Sequence, residues 1–198
     1  QSTGDPPDCD ESEEEDKDFA VLISIDSSGS MITNTDYIQP IKSVICQWAS
    51  EEKFANSLFA ISEFGLANVS TEIVTDFVSP QVACDALLAY SNAGGSSEYA
   101  FDIIWNSFNN DGIKDLSWPD PSEYKYSFIV MTDEEPQFPD HNQTYDSNVF
   151  DHCAEYNYSI DVYSTVIWEY YWKNTINGCT GDVHMLSPDA DTMSETLT

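Results

Sequence analysis

Residues 19–25 read FAVLISI, a run of strand length with almost no polar atom, and the run stops at Asp26. A strand that is apolar on both faces cannot sit half-exposed at a sheet edge. It needs cover above and below, which is the situation of a central parallel strand between layers of helix. A second run of the same kind, residues 124–132 (YKYSFIVMT), stops at Asp133. Two buried parallel strands, each ending in an aspartate, require crossover connections between them and so an α/β chain.

The segments between and around these runs supply the crossovers. Ile38, Ile41, Val44, Ile45 and Trp48 recur at helical spacing and predict a helix over 38–52. Residues 57–64 and 69–78 predict two strands, separated at Gly65, that pair antiparallel. Pro80 opens a helix to about residue 90, since proline is favoured in a first helical turn. A helix from residue 96 carries Tyr99, Ile103, Ile104 and Phe108 on one face, and another is expected over 146–156. A strand over 160–167, an aromatic loop over 168–172, a short strand over 183–186 and a terminal helix over 189–198 complete the series. The expected fold is doubly wound α/β, with a mostly parallel central sheet, one antiparallel edge strand and helices on both faces. Residues 1–18 hold nine acids, one lysine and Pro6-Pro7, and read as an acidic arm or linker ahead of a single domain over 19–198.

Charge narrows the partners. The 198 residues carry 36 Asp plus Glu against 6 Lys plus Arg, a net charge of −30, and all six cations are lysines. Nucleic acid and anionic membrane surfaces are excluded as partners by repulsion. No apolar run reaches the 18 residues of a membrane span. The charge suits a cation-rich setting.

Five cysteines stand at 9, 46, 84, 153 and 179, with no CxxC pair. Cys46 and Cys84 are expected as buried free thiols on helix faces, and Cys9 with Cys179 as a disulfide. Glycosylation sequons at Asn68, Asn142 and Asn157, and a polar start at Gln1 like that of a processed chain, point to a secreted or cell-surface protein.

In open α/β sheets ligands bind beyond the carboxyl ends of the strands. Three segments converge there: Asp26-x-Ser28-x-Ser30, Gly94-Gly95-Ser96 and Thr132-Asp133. They supply carboxylate and hydroxyl oxygens, the donors that hard divalent cations prefer. In this order and spacing they resemble the von Willebrand factor type A domain, the integrin inserted-domain family. DSSGSM at 26–31 matches its metal-ion-dependent adhesion site motif, GGSS at 94–97 its Gly-Gly-Thr loop, and IVMTDEEP at 129–136 its Thr-Asp-Gly strand end.

The resemblance implies one divalent cation, Mg²⁺ first with Ca²⁺ or Mn²⁺ as alternatives, ligated by Ser28, Ser30 and Ser96. Asp26 and Asp133 would supply charge and hold waters. It also implies an open coordination position, completed by a carboxylate from a protein or glycan partner. Two departures stand out: Ser96 replaces threonine, and Glu134 replaces a glycine whose backbone freedom accompanies switching in regulated members.

Glu134, Glu135, Trp168, Tyr170, Tyr171 and Trp172 are expected on the same rim as partner contacts, and Asp140 and His141 extend its acidic side. No nucleophile elbow, phosphate loop or HExxH is present, so the reading is a non-enzymatic binding domain. The alternative is a structural subunit of an extracellular filament, sheath or matrix that binds copies of itself.

Overall fold

The computed structural model describes residues 17–33, 36–65, 71–91, 95, 116–136, 153 and 158–194. The order of elements is β1 (Asp18–Asp26), α1 (Gly29–Thr33), α2 (Ile38–Ala49), a 3₁₀ turn (Glu52–Phe54), β2 (Leu58–Phe64), β3 (Thr71–Val78), α3 (Pro80–Ala89), β4 (Tyr124–Thr132), β5 (Ser159–Ser164), α4 (Glu169–Thr175), β6 (Val183–Met185) and α5 (Ala190–Ser194). The helices expected from residue 96 and over 146–156, the acidic arm to residue 16 and all three sequons lie outside the described residues.

Among the described residues six strands form one sheet in the order β3-β2-β1-β4-β5-β6. Every pairing is parallel except β2 with β3, the antiparallel edge expected from the sequence. Ile25 lies beside Met131, so β1 and β4 end level with each other and bring Asp26 and Asp133 to one edge.

The apolar run of β1 is buried on both sides, as its composition demands. Ala20 and Leu22 face one core with Phe128, Val130, Tyr158 and Trp172. Val21, Ile23 and Ile25 face the other, where α2, α3 and α5 contribute Ile41, Ile45, Trp48, Ala83, Leu87 and Met193. Side chains alternate across a strand, so a single run feeds two cores. Each fully buried aliphatic or aromatic side chain contributes about 1.5–3 kcal/mol.

Three expectations are corrected. Cys46 and Cys84 are not free thiols: α2 and α3 lie side by side on one face of the sheet, and the two sulfurs bond at 2.04 Å. Cys179 pairs with Cys153 rather than with Cys9, which lies outside the described residues. The strand expected to reach residue 167 stops at Ser164, and the aromatic stretch after it is mostly helix. That helix had a signal. Trp168, Trp172 and Ile176 recur at intervals of four, with amide-to-carbonyl bonds of 3.0 and 2.9 Å between them. Glu169 and Lys173 form the favourable i, i+4 ion pair at 2.7 Å.

Candidate metal-binding site

Asp26 ends β1 inside the protein, with no exposed surface. Both of its carboxylate oxygens are used. Oδ1 accepts the Ser28 amide at 2.8 Å, and Oδ2 accepts the Thr132 hydroxyl at 2.6 Å. The same Thr132 oxygen accepts the Glu134 amide at 3.1 Å. One hydroxyl on β4 therefore fixes the β1 carboxylate and the turn that carries Asp133.

The Ser28 and Ser30 hydroxyls lie 3.0 Å apart, and Ser30 donates to Asp133 Oδ1 at 3.0 Å. The chain Ser28–Ser30–Asp133 thus joins the end of β1 to the end of β4. The Gly-Gly loop arrives at the same point: Gly95 bridges Ser28, and its carbonyl accepts the Gly29 amide at 3.1 Å. Ser96, the expected third hydroxyl, lies outside the described residues, as do Asp140 and His141.

Gly65, just after β2, is a residue that motif reading missed. Its φ is +76°, and a Cβ there would meet Asp26 Oδ1 at 2.9 Å and the Ser28 amide nitrogen at 3.0 Å. The site needs a residue with no side chain at this point, in a backbone region that glycine alone enters freely. A single Gly between two predicted strands was the available signal.

Burial sets the electrostatics. It pushes the Asp26 carboxyl up to about 6, against the opposing hydrogen bonds from Thr132 and Ser28. Burial also raises Asp133, with the Ser30 hydroxyl opposing. Glu134 is raised by burial first, then by the charges of Asp133, Asp26 and Glu135. Among the described residues no ion pair reaches Asp26, Asp133 or Glu134.

The donor set fits a hard divalent cation on those grounds. Two carboxylates and two hydroxyls converge, and among the described residues no ion pair balances the local negative charge. Among the described residues no three His, Cys, Asp or Glu side chains gather to hold a metal by themselves.

The expected partner contacts divide. Glu135, Tyr170 and Tyr171 are exposed, and Glu134 is partly buried. Trp172 is fully buried and cannot touch a partner. Its indole N–H instead donates to the Glu134 carbonyl at 2.9 Å, which ties α4 to the Asp133 turn. Trp168 also packs inward against the core. A periodicity of four, rather than the aromatic content, separates these inward residues from their outward neighbours.

A second polar cluster lies next to the site. Glu63 on β2 is buried and hydrogen-bonds Ser27 and Tyr90, and burial pushes its carboxyl up to about 7. Lys42 on α2 donates to the Tyr90 carbonyl at 2.7 Å, and the Tyr90 hydroxyl donates to Glu72 at 3.0 Å. Sequence reading did not single out this group, because its members lie far apart in the chain.

No family model matches the chain, and no curated protein matches it in sequence. Solved structures do match. Proximal thread matrix protein 1 (PTMP1) from the mussel byssus superposes with a TM-score of 0.63 at 14% identity, over 91% of this chain and 46% of that one. A further PTMP1 structure, with a zinc-occupied MIDAS motif, gives 0.63 at 11% identity over the same shares. The VWA domain of SpRpn10 gives 0.60 at 13% identity, over 90% of this chain and 93% of that one. The fold is VWA-like. Asp26 and Asp133 stand at the carboxyl edge of this VWA-like sheet. The chain spans about half the length of PTMP1 and nearly all of the SpRpn10 domain.

Proposed function

We propose that the chain is a metal-dependent adhesion domain of a secreted or surface protein, with a binding rather than an enzymatic role. The observation that carries this reading is the hydrogen-bonded convergence of Ser28, Ser30, Asp133 and Asp26, whose carboxylates no ion pair reaches among the described residues. Ser28 and Ser30 would hold one divalent cation, joined by Ser96, while Asp26 and Asp133 supply negative charge. Neutral hydroxyl ligands leave most of the cation's charge in place, and a bound cation of that kind attracts a carboxylate from a protein or glycan partner. Mg²⁺ is the first choice, with Ca²⁺ and Mn²⁺ next. The zinc-occupied motif of PTMP1 adds Zn²⁺ to the ions worth testing.

The chain's own residues do the positioning. Thr132 orients Asp26 and the Asp133 turn together, Trp172 holds the turn from behind, and Gly65 leaves room for the Asp26 carboxylate. An extracellular place is supported by the two disulfides, which persist in oxidising compartments.

A second reading, a subunit of an extracellular matrix or filament, is favoured by the likeness to a byssus matrix protein. Sedimentation with and without divalent cations separates the two: a monomer in both supports adhesion, and cation-driven assembly supports the matrix role.

The deciding experiment is calorimetric titration of chelator-stripped protein with Mg²⁺, Mn²⁺, Ca²⁺ and Zn²⁺, beside Ser28→Ala and Asp133→Ala. High monovalent salt suppresses generic binding to the −30 chain. One stoichiometric site, lost in both variants, is the expected result. Equal weak binding by all three proteins would sink the proposal.

A further inference from the structure

Glu63 is fully buried on β2, and the cation site described above makes no use of it. A buried carboxyl is costly unless it is paired, hydrogen-bonded or neutralised by a proton. Its surroundings supply partners of both signs. Ser27, in the turn after β1, hydrogen-bonds the carboxyl, and so does Tyr90 at the end of α3. Lys42 of α2 faces it with a positive charge and Glu72 of β3 with a negative one.

Glu63 and Glu72 are direct partners across the antiparallel pairing of β2 with β3. Like charges so placed repel. The Tyr90 hydroxyl stands against both: it donates to Glu72 at 3.0 Å and also hydrogen-bonds Glu63. A phenol has one proton to donate, so a proton on Glu63 itself relieves the conflict. Lys42 does not remove the need. Its amino group is directed at the Tyr90 carbonyl, 2.7 Å away, and burial outweighs its attraction, leaving the Glu63 carboxyl pushed up to about 7.

The same group touches the turn of the cation site. Ser27 is fully buried, and its amide donates to the Phe64 carbonyl at 2.9 Å. Strand β2 therefore holds this turn twice, by backbone and by the Glu63 side chain. Through Ser27, Glu63 reaches the chain one residue from Asp26 and one from Ser28.

We propose that Glu63 is a proton-linked positioning residue of the cation site: it holds the turn at 26–30 through Ser27, and it gives up a proton to solvent when a divalent cation binds. This rests on the metal-dependent reading above.

The balance is one proton. Without the cation, Glu63 holds a proton over much of the neutral range. With it, the Glu63 O–H breaks and the proton passes to water, on the side where Tyr90 leads to the exposed Glu72. The carboxylate left behind accepts from Ser27 and Tyr90 and adds a negative charge beside the site. The coupling is reciprocal, so a proton held on Glu63 weakens the cation by the same factor.

The test is calorimetric titration of chelator-stripped protein with Mg²⁺ in 1 M NaCl at pH 6 and pH 8. The proteins are wild type, Glu63→Gln, Tyr90→Phe and Asp133→Ala. The amide of Glu63→Gln resembles the protonated acid in shape and charge. Wild type and Glu63→Gln are therefore expected to bind alike at pH 6, and wild type several-fold more tightly at pH 8. Titrations at pH 7 in buffers of unlike ionisation enthalpy count the protons: wild type releases more per Mg²⁺ than Glu63→Gln does. Both proteins keep Asp26, Asp133 and Glu134, so protons lost from those groups drop out of the comparison. In Tyr90→Phe, Glu63 loses a hydrogen bond that favours its ionised form, and the midpoint of the pH dependence moves up.

An affinity changed by one factor at both pH values would make Glu63 a structural residue and overturn the inference. Equal proton release by wild type and Glu63→Gln overturns it too, and leaves the metal reading standing where the site is lost in Asp133→Ala. Binding that is alike in wild type and Asp133→Ala overturns the metal reading itself, and this inference with it. An unmoved midpoint in Tyr90→Phe overturns the part assigned to Tyr90.

Discussion

Thr132 and Gly65 do at the level of single residues what no motif spells out. Thr132 offers one oxygen to two partners, and Gly65 offers the absence of an atom. Gly65→Ala forces a Cβ to within 3.0 Å of two site atoms and puts alanine at a positive φ. It is expected to cost about 1–3 kcal/mol in urea unfolding and to weaken divalent-ion binding in the same protein. Unchanged metal affinity in a folded Gly65→Ala protein would show that this close approach does not shape the site.

Glu63 carries the pH prediction. Its carboxyl rises on folding from 4.5 to about 7, so the folded state binds the proton more tightly than the unfolded state. The stability this lends is fully present below pH 4.5 and is lost as pH rises through 7. Asp26 acts in the same direction between 3.8 and about 6. In chelator, stability therefore falls with rising pH, and above pH 6 the slope belongs mainly to Glu63. Glu63→Gln is expected to flatten that upper part; an unaltered slope between pH 6 and 7 would assign it elsewhere. The segments around Asp26 and Asp133 could be picked out from the sequence because each is short and local. Glu63, Lys42, Tyr90 and Glu72 could not, because they meet through strand register and helix packing.

At the scale of elements, the strands were the most legible part. Residues 124–132 are β4 to the residue, because a run buried on both faces has no competing interpretation. The cysteines were the least legible. Of the two cysteines expected to be buried, Cys84 is and Cys46 is only partly so, and whether α2 and α3 adjoin depends on the topology of the whole sheet. Once they adjoin, the two sulfurs meet between the helices.

The aromatic stretch failed for a related reason. Its composition suggested display, whereas its spacing makes α4 a wedge with Trp172 buried against the Asp133 turn. Trp172→Phe keeps most of the ring's packing and removes the indole donor to the Glu134 carbonyl. The expected loss is about 1 kcal/mol in unfolding free energy, with divalent-ion affinity several-fold weaker. A variant that loses stability but binds the ion as well as wild type would make Trp172 a core residue and nothing more.

For the whole molecule, the net charge of −30 acts on every other property. Self-repulsion weakens the compact state, and any cation relieves part of it. Two kinds of relief are separable. Monovalent salt screens all carboxylates alike, with a Debye length that falls to about 3 Å at 1 M, so it raises the thermal midpoint of wild type and Asp133→Ala together. A cation held at the site stabilises by mass action, about 2.7 kcal/mol at a hundred times its dissociation constant. That gain survives high salt and vanishes in Asp133→Ala. The expected result is two additive steps in wild type, one from NaCl and one from a divalent ion added on top, and a single step in the variant. Differential scanning calorimetry in 1 M NaCl, with and without Mg²⁺, reads both. A second step of equal size in the two proteins would mean that the divalent ion spreads over the acidic surface, and that the edge formed by β1 and β4 holds no site of its own.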